Sequence, residues 1–326
     1  MRIAMLLVAL LVAQDPPPAK PIRVLYVDHL PRFEYRFLQK ALLADESLAV
    51  HVFLCSADVD WEQPATRGVA PLKRADAESI LTDAAKLARY DLVIWGDLQP
   101  AHVSADAPTY RKIPGALQAY VAGGGAVLFH AGSGYLQEAH PGAELAPLLP
   151  FRVKPVDPPP QDKEVEDLVG QLGSEDFAVR EAATAKLFEI GERAVHALRR
   201  AKEGGDLEVR DRAAALLRSI EYAPGVAKPA LVRLTEAGRS HRATRLEDSK
   251  LWTKSPRIRW AVRRAVPVEG ARVLAELETG DPILVAHARD RGRVAALLTD
   301  EWWLWRQEGG YYQTYRAVLE WLARGD

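Results

Sequence analysis

The middle of the chain, from residue 162 to residue 222, repeats its own sequence, and this repeat constrains the fold more than any other feature. Residues 176–181 (DFAVRE) align with residues 206–211 (DLEVRD) at an offset of 206 − 176 = 30 positions. Each copy opens with an aspartate, a preferred residue at the start of a helix. The matched apolar residues recur at helical spacing, so both copies predict amphipathic helices. The same offset pairs Val179 with Val209, Arg180 with Arg210, Ala183 with Ala213, Leu187 with Leu217, and Ile190 with Ile220.

Proline-rich segments border this repeat on both sides. Residues 151–162 and 222–229 contain several prolines, and no regular element runs through such a segment. Between them the pattern is helical, over residues 165–172, 177–190, 193–202 and 207–220, and it resembles a HEAT-type repeat pair. An amphipathic helical hairpin of no particular family is the alternative. Helical repeats usually present a surface to another protein, so the resemblance implies a protein partner.

The sequences on either side of the repeat alternate between strand and helix patterns. Apolar runs at residues 22–27, 48–54, 92–95 and 126–129 are typical of strands buried on both faces of a parallel sheet. Helical patterns follow the first three, over residues 31–44, 76–89 and 113–121. After the repeat, strands at 273–277, 283–288 and 294–298 predict an antiparallel meander at the sheet edge, and residues 311–322 predict a closing helix. We therefore predict an α/β protein with a doubly wound, mainly parallel, flavodoxin-like sheet and an inserted all-α module.

The N-terminus has the pattern of a targeting segment. One arginine precedes an apolar run over residues 3–13 (IAMLLVALLVA), which stops at QDPPP. A membrane-spanning helix needs about 20 apolar residues, so we predict a secretory signal peptide over residues 1–13 and a linker over 14–21. A buried N-terminal helix is the alternative. The prediction is an exported protein, periplasmic or secreted, without a stable membrane span.

These boundaries divide the chain into a discontinuous α/β domain, residues 22–150 and 230–326, and a helical insertion over residues 162–222. The formal net charge of −1 provides no overall field that would attract nucleic acid, so we expect no nucleic-acid partner. The single cysteine, Cys55, excludes an intramolecular disulfide framework and a cysteine-rich metal site. We expect no cofactor and no metal.

Three segments of the α/β domain resemble class I glutamine amidotransferase-like domains. They are residues 24–36 (VLYVDHLPRFEYR), 123–130 (GGGAVLFH) and 292–306 (GRVAALLTDEWWLWR). The resemblance is closest to branches that are not amidotransferases, including the trehalose-utilisation (ThuA-like) proteins, and to such domains in bacterial envelope proteins. It covers most of the chain outside the insertion.

The residues that carry the chemistry of that family are missing here. Active members place a cysteine nucleophile on the turn after the fourth strand, and a histidine and a glutamate late in the chain activate it. In this chain the turn reads HAGSG from His130, and TDEW follows Leu298 where the family has His-x-Glu. The resemblance therefore implies an inactive domain. The two catalytic candidates that stay open are Ser133 and His130. Ser133 is either a plain turn residue or a nucleophile that replaces the cysteine.

Polar residues follow the predicted strands, and ligands of open α/β sheets bind beyond the carboxyl ends of the strands. We expect a ligand cleft there that could bind sugar hydroxyls, while no spacing such as H-x-x-x-H indicates a metal. The alternative is that strand ends are polar because they face solvent. Aromatic residues between 302 and 315 fit either sugar stacking or packing of the last helix, and packing is favoured. The cleft candidates are Asp28, Arg32, Glu34, Asp97, His130, Asp300 and Glu301.

Together these features predict an exported envelope protein whose inactive amidotransferase-like domain serves binding or scaffolding. The helical insertion would hold the partner, another envelope protein. The alternative function is that of a hydrolase, or of a carbohydrate-modifying or carbohydrate-binding protein, which uses the strand-end cleft.

Overall fold

A computed structural model describes residues 20–132, 144–154, 162–222, 229–262 and 264–325. The predicted signal peptide, Ser133 and most of the predicted linker lie outside these residues. Within them, the predicted α/β class and the large central sheet are confirmed.

Eleven strands form two sheets in the described residues. They are β1 (Ile22–Asp28), β2 (Leu48–Leu54), β3 (Leu92–Trp95), β4 (Ala126–His130), β5 (Phe151–Val153), β6 (Ala230–Leu234), β7 (Arg257–Ile258), β8 (Ala265–Pro267), β9 (Arg272–Leu277), β10 (Pro282–Arg289) and β11 (Gly292–Leu297). The large sheet has the order β2-β1-β3-β4-β11-β10-β9-β6-β7, and β5 pairs with β8 in the small one. The five strands from β2 to β11 in this order are parallel, and the other four continue the sheet in antiparallel pairs.

Twelve α-helices accompany these strands in the same ranges. They are α1 (Phe33–Ala44), α2 (Arg74–Leu81), α3 (Ala84–Leu87), α4 (Pro100–Val103), α5 (Ala107–Tyr110), α6 (Ile113–Ala122), α7 (Lys163–Gln171), α8 (Phe177–Ile190), α9 (Glu192–Lys202), α10 (Leu207–Tyr222), α11 (Glu236–Ser240) and α12 (Gly310–Arg324).

The position of β11 differs from the prediction. The sequence pattern predicts this strand at an edge of the sheet, but β11 lies inside it, between β4 and β10. A Cβ atom on Gly292 would lie 2.2 Å from the carbonyl oxygen of Gly125, so the start of β11 can approach the start of β4 only because residue 292 is glycine. The meander of β9, β10 and β11 is therefore joined to the parallel strands through β11, which pairs with β4.

The predicted helix over residues 76–89 is divided into α2 and α3. The Asp83 carboxylate accepts hydrogen bonds from the backbone N–H groups of Ala85 and Lys86, so it caps the start of a second helix. Strands β6 and β7, which the sequence pattern does not predict, add two members to the antiparallel part of the sheet.

The parallel strands are buried on both faces, as their continuous apolar runs require. On one face, Val24 and Tyr26 of β1 belong to a core that also contains Leu38 of α1 and Leu319 of α12. On the other face, the alternate residues of β1 pack with α2, α3 and α6. The sheet thus has a helical layer on each side. Because its faces are covered, the strand ends are the part of the sheet where a site can form.

Helices α7 to α10 have a hydrophobic core of their own, made only of residues between Val165 and Ile220. Val165 matches Val195 at the offset of 30, as does Leu168 with Leu198, so the self-similarity extends to α7 and α9. Equivalent positions of the two helical hairpins therefore fill equivalent places in one core.

A buried carboxylate joins α1 to the C-terminal part of the chain. The side chain of Glu34 is fully buried and accepts hydrogen bonds from the hydroxyls of Tyr311 (2.6 Å) and Tyr315 (3.0 Å) and from the Trp303 backbone N–H (2.8 Å). Burial raises the pKa of Glu34 to about 7, and these hydrogen bonds and the Arg32 charge oppose the rise. Glu34 therefore fastens α12 to α1.

We expect Glu34→Ala to lower the free energy of unfolding by about 2–4 kcal/mol, because it leaves two tyrosine hydroxyls and one backbone N–H without their acceptor in the interior. Urea unfolding followed by circular dichroism measures this loss. Glu46→Ala, at an exposed position just after α1, is the matched control and should change stability by less than about 0.5 kcal/mol. Equal stability of the two variants would contradict the anchoring role of Glu34.

Candidate functional site

The carboxyl ends of β1, β3, β4 and β11 meet at one edge of the sheet because these strands are parallel neighbours. Asp28 is the last residue of β1, Asp97 follows β3, and Asp300 follows β11. This edge is where open α/β sheets bind ligands. The predicted cleft candidates from different strands therefore share one edge of the fold.

Arg32 bridges the ends of β1 and β4. Its Nη2 lies 3.1 Å from Asp28 Oδ2 and 3.4 Å from the carbonyl oxygen of His130, and its Nη1 lies 3.3 Å from the carbonyl oxygen of Ala131. Burial acts to lower the pKa of Arg32, but the surrounding carboxylates, including Asp97, raise it above the ordinary value. The guanidinium is thus a fixed positive charge at the strand ends.

Asp28 is fully buried and holds Arg32 in place. Its carboxylate also accepts hydrogen bonds from the Tyr26 hydroxyl (3.0 Å) and the His29 backbone N–H (2.8 Å). Three donors occupy this carboxylate, so its part in the site is to orient the guanidinium.

Two glycines make room for the strand-end carboxylates. A Cβ atom on Gly96, after β3, would lie 2.4 Å from Cγ of Asp28, and one on Gly132, after β4, would lie 2.5 Å from Oδ2 of Asp97. Asp28 therefore leans over the end of β3, and Asp97 leans over the end of β4. Both carboxylates can point towards the centre of the site because a glycine follows the neighbouring strand, Gly96 after β3 and Gly132 after β4.

Asp300 completes this group from β11. Burial raises the pKa of its carboxyl to about 6; Arg32 opposes the rise, and Glu301 and Asp97 add to it. Within the described ranges, the Asp300 carboxylate accepts no hydrogen bond from another residue, and Nε of Arg32 is buried without a hydrogen-bond partner. The site therefore contains an acceptor and a donor that the described protein leaves unused.

Two histidines, His29 after β1 and His102 in α4, lie beside the carboxylates, and sequence reasoning missed His102. The rings of His29 and His102 stack with centroids 3.9 Å apart and planes 8° apart. Burial lowers the pKa of His102 to about 4, helped by His29 and opposed by Asp97, and burial also lowers the pKa of His29. Nδ1 of His102 accepts the Gln99 backbone N–H at 3.0 Å, at the start of α4. The pair is neutral near pH 7 and adds flat imidazole surface to the site.

Three predicted cleft residues lie away from this group or serve the fold. Glu34 is the buried anchor described above, and His130 is fully buried on the same face, with Nε2 3.2 Å from the Tyr315 hydroxyl. Burial and then the Arg32 charge lower the pKa of His130 well below its ordinary value. Glu301 accepts the backbone N–H groups of Arg259 and Trp260 and so fixes the chain after β7. In the structure Glu34 and His130 contact the tyrosines of α12 in the core, and Glu301 is bound to the backbone after β7.

The aromatic group near the C-terminus packs mainly inside the protein. Trp302, Trp305, Tyr311 and Tyr315 are buried against the sheet. Trp303 differs, because its ring stacks on the exposed ring of Phe33 with centroids 5.2 Å apart. Most of the group therefore anchors the last helix, and Trp303 and Tyr312, which are partly buried, lie nearer the surface.

The chain has one thiol, that of Cys55, and it is buried. Cys55 lies buried after β2, where burial raises the pKa of its thiol to about 12, so it is neither at the turn after β4 nor a ready thiolate. Across the described ranges, no group of three or more His, Cys, Asp or Glu side chains is placed to hold a metal ion.

Comparison with known proteins shows the fold and little else. No family model matches the chain, and no curated protein matches it significantly. A cytoplasmic protein of Salmonella typhimurium, STM3548, has a similar structure with a TM-score of 0.50 and 12% identity over 92% of this chain and 98% of that one. A second, the cytoplasmic protein STM1381 of Salmonella typhimurium LT2, has a TM-score of 0.48 and 16% identity over 92% and 99%.

The first of these comparisons bears on the predicted location. STM3548 is named as a cytoplasmic protein, which contradicts the prediction of an exported, periplasmic or secreted envelope protein with a signal peptide. That prediction was wrong on this finding. It depended on the apolar composition of residues 3–13, which lie outside the described chain. None of the helices formed by described residues is both long and apolar enough to cross a membrane.

We expect Gly132→Ala to lower the free energy of unfolding by about 1–3 kcal/mol, because the new methyl group must displace the buried Asp97 side chain. Gly115→Ala is the matched control. A Cβ atom there meets nothing within 4 Å, and alanine favours the helix α6 by about 0.5–1 kcal/mol. Urea unfolding measures both. A Gly132→Ala protein as stable as the wild type would show that Asp97 does not need this glycine.

We expect Asp300→Asn to raise the melting temperature at pH 8 and to change it little at pH 4. The pKa of this carboxyl is about 6 when folded and 3.8 as the ordinary value. Its contribution to stability is therefore complete below pH 3.8 and is lost as the pH rises through about 6. Thermal unfolding at the two pH values measures the difference, with exposed Asp211→Asn as control. A lower melting temperature at pH 8 would mean that pairing with Arg32 outweighs burial.

Proposed function

We propose that this chain binds a small, uncharged, hydroxyl-rich ligand, a polyol or a sugar, at the strand-end site formed by Arg32, Asp97 and Asp300. The observation that carries the proposal is the unused pair of the Asp300 carboxylate and Nε of Arg32. A hydroxyl group donates one hydrogen bond and accepts others, so it satisfies both partners at once. Buried polar atoms without partners are rare in proteins, so the buried Nε of Arg32 calls for such an explanation, and the partly exposed Asp300 carboxylate is accessible to a ligand.

The charge of the site supports an uncharged ligand. Three aspartates surround one guanidinium, so a phosphate or carboxylate ligand would meet more repulsion than attraction. The two neutral histidines, His29 and His102, offer ring surface without adding charge. Polar groups that are fixed before binding lose little entropy on binding, and Arg32 is held by three contacts.

The proposal extends to the fold family. The parallel order β2-β1-β3-β4-β11 and a site over the end of β4 support a flavodoxin-like domain of the class I glutamine amidotransferase-like group. The only cysteine, Cys55, is buried and follows β2 instead of β4. Its position supports a member of the group that lacks the thiol chemistry. The chain is then a binding protein built on a fold that elsewhere carries a nucleophile.

The helical segment is proposed to be a HEAT-type repeat inserted into this domain. Its support is the 30-residue match of buried positions in α7 to α10 and the fact that their core contains no residue of the large sheet. A protein partner on this segment stays a prediction.

Ligand-observed NMR with a panel of monosaccharides, disaccharides and linear polyols tests the ligand class. We expect at least one member to bind, and Asp300→Ala to weaken it about tenfold or more, because a hydrogen bond to a charged group is lost. Asp211→Ala, an exposed aspartate in α10, is the matched control and should bind as the wild type does.

The outcomes of this experiment separate the alternatives. Binding that is indifferent to Asp300→Ala would place the ligand elsewhere, and no binding by the whole panel would overturn the proposed ligand class. Conversion of a bound probe, visible in the same spectra, would replace the binding function by a catalytic one.

A further inference from the structure

Exposed apolar side chains are confined to one place in the described residues outside α7–α10. The large ones with half or more of their surface exposed all follow β1 or β2 at the carboxyl edge of the sheet. They are Leu30 (50% exposed), Phe33 (61%), Val59 (77%) and Trp61 (58%), which we name the apolar rim.

The rim is continuous with the strand-end site. Leu30 and Phe33 flank the segment that contains Arg32. The loop after β2, which carries Val59 and Trp61, is tied to the end of β1, because the backbone N–H groups of Cys55 and Ser56 donate to the carbonyl oxygens of Asp28 (2.8 Å) and His29 (3.1 Å). The two loops are therefore joined at their first residues, next to Asp28 of the site.

Contacts fix the Phe33 ring and the backbone at the start of the loop after β2. The Phe33 ring stacks on Trp303, which also stacks on Phe37 with centroids 5.9 Å apart, and the Arg306 guanidinium lies 4.8 Å from the Trp303 ring centroid. On the other side, Arg74 donates to the carbonyl oxygens of Cys55 (2.7 Å) and Ala57 (3.2 Å) and so fixes the loop after β2. Apolar surface that is fixed while exposed is typical of a binding surface.

We infer that the ligand carries a flat apolar or aromatic group joined to its hydroxyl-rich part, and that the apolar rim binds this group. The inference rests on the proposed function, because the hydroxyl-rich part occupies Asp300 and Arg32 while the aromatic part lies against Phe33 and Trp61. The chemical class is therefore an aryl-substituted sugar or polyol. A rim beside polar groups with unused hydrogen-bonding capacity favours one amphiphilic small molecule over a second protein surface.

Matched pairs of methyl and phenyl glycosides of the same sugar test the inference by titration calorimetry or NMR. We expect the phenyl member of a binding pair to bind wild type about tenfold tighter than the methyl member. Phe33→Ala and Trp61→Ala should each reduce this preference about threefold to tenfold, and Trp61→Phe should retain most of it. Phe177→Ala, at an equally exposed phenylalanine (65%) in α8, is the matched control and should keep the full preference.

The ratio between the two probes is independent of how much variant protein is folded, because both probes meet the same sample. Equal binding of the methyl and phenyl members to wild type, or a preference that survives both alanine variants, overturns the inference and leaves the proposed function standing. Failure of every glycoside to bind removes both. A wild-type dimer in light scattering that Phe33→Ala converts to a monomer would mean that a second copy covers the rim, and would also overturn the inference.

Discussion

The Arg32 guanidinium holds the carboxyl edge of the sheet together. Through three contacts it joins α1, the end of β1 and the end of β4, strands that have β3 between them. A buried charge is tolerated only where partners compensate its desolvation, and Asp28 provides the first of them. The close packing of Asp28 and Asp97 over Gly96 and Gly132 follows from the same need to surround one cation with carboxylates.

Helix α1 is fixed at its first turn by two opposite charges that face different ways. Arg32, the residue before the helix, turns to the strand ends, and Glu34, two positions later, turns to the tyrosines of α12. The C-terminal helix, which also covers β4 and β11, is thus coupled to the residue next to the site. Arg32 and Glu34 look equivalent in the sequence because both are polar residues after β1. In the structure, Arg32 serves the strand-end edge of the sheet and Glu34 serves the core.

Local patterns in the sequence predicted much of the fold. The apolar runs of β1 to β4 and the helical spacing of α1, α6 and α8 are local signals, and each of these elements forms within a few residues of its expected bounds. The inner position of β11 was missed because it depends on the approach of Gly292 to Gly125, a contact between segments far apart in the chain. Pairing order is a non-local property that periodicity does not encode.

The residues proposed for the site also divide into those that the sequence could predict and those that it could not. Asp28, Arg32, Asp97 and Asp300 could be predicted because parallel strand ends share an edge. Glu34, His130 and Glu301 follow strands too, yet side-chain direction places them in the core or on the backbone, which a list of polar positions does not reveal.

The histidine stack and the apolar rim had different indications in the sequence. The His29 and His102 stack joins loops from two strands, so only His29, next to Asp28, had a signal in the sequence. The apolar rim had a clearer one at three positions, because Leu30, Val59 and Trp61 are large apolar residues outside the predicted strands and helices. Phe33 lies in the predicted helix over residues 31–44 and had no such signal.

The electrostatics of the site also limit its chemistry. Hydrolysis through a covalent thiol intermediate develops negative charge on a thiolate and on a tetrahedral oxyanion, and both need nearby donors or cations. Here one guanidinium already serves Asp28 and two carbonyl oxygens, and Asp97 and Asp300 would repel a further anion. The same arrangement favours hydroxyl groups, which donate to carboxylates without bringing negative charge of their own. In the proposed function, the carboxylates therefore bind hydroxyl groups of the ligand, and the apolar rim beside them binds its flat apolar group.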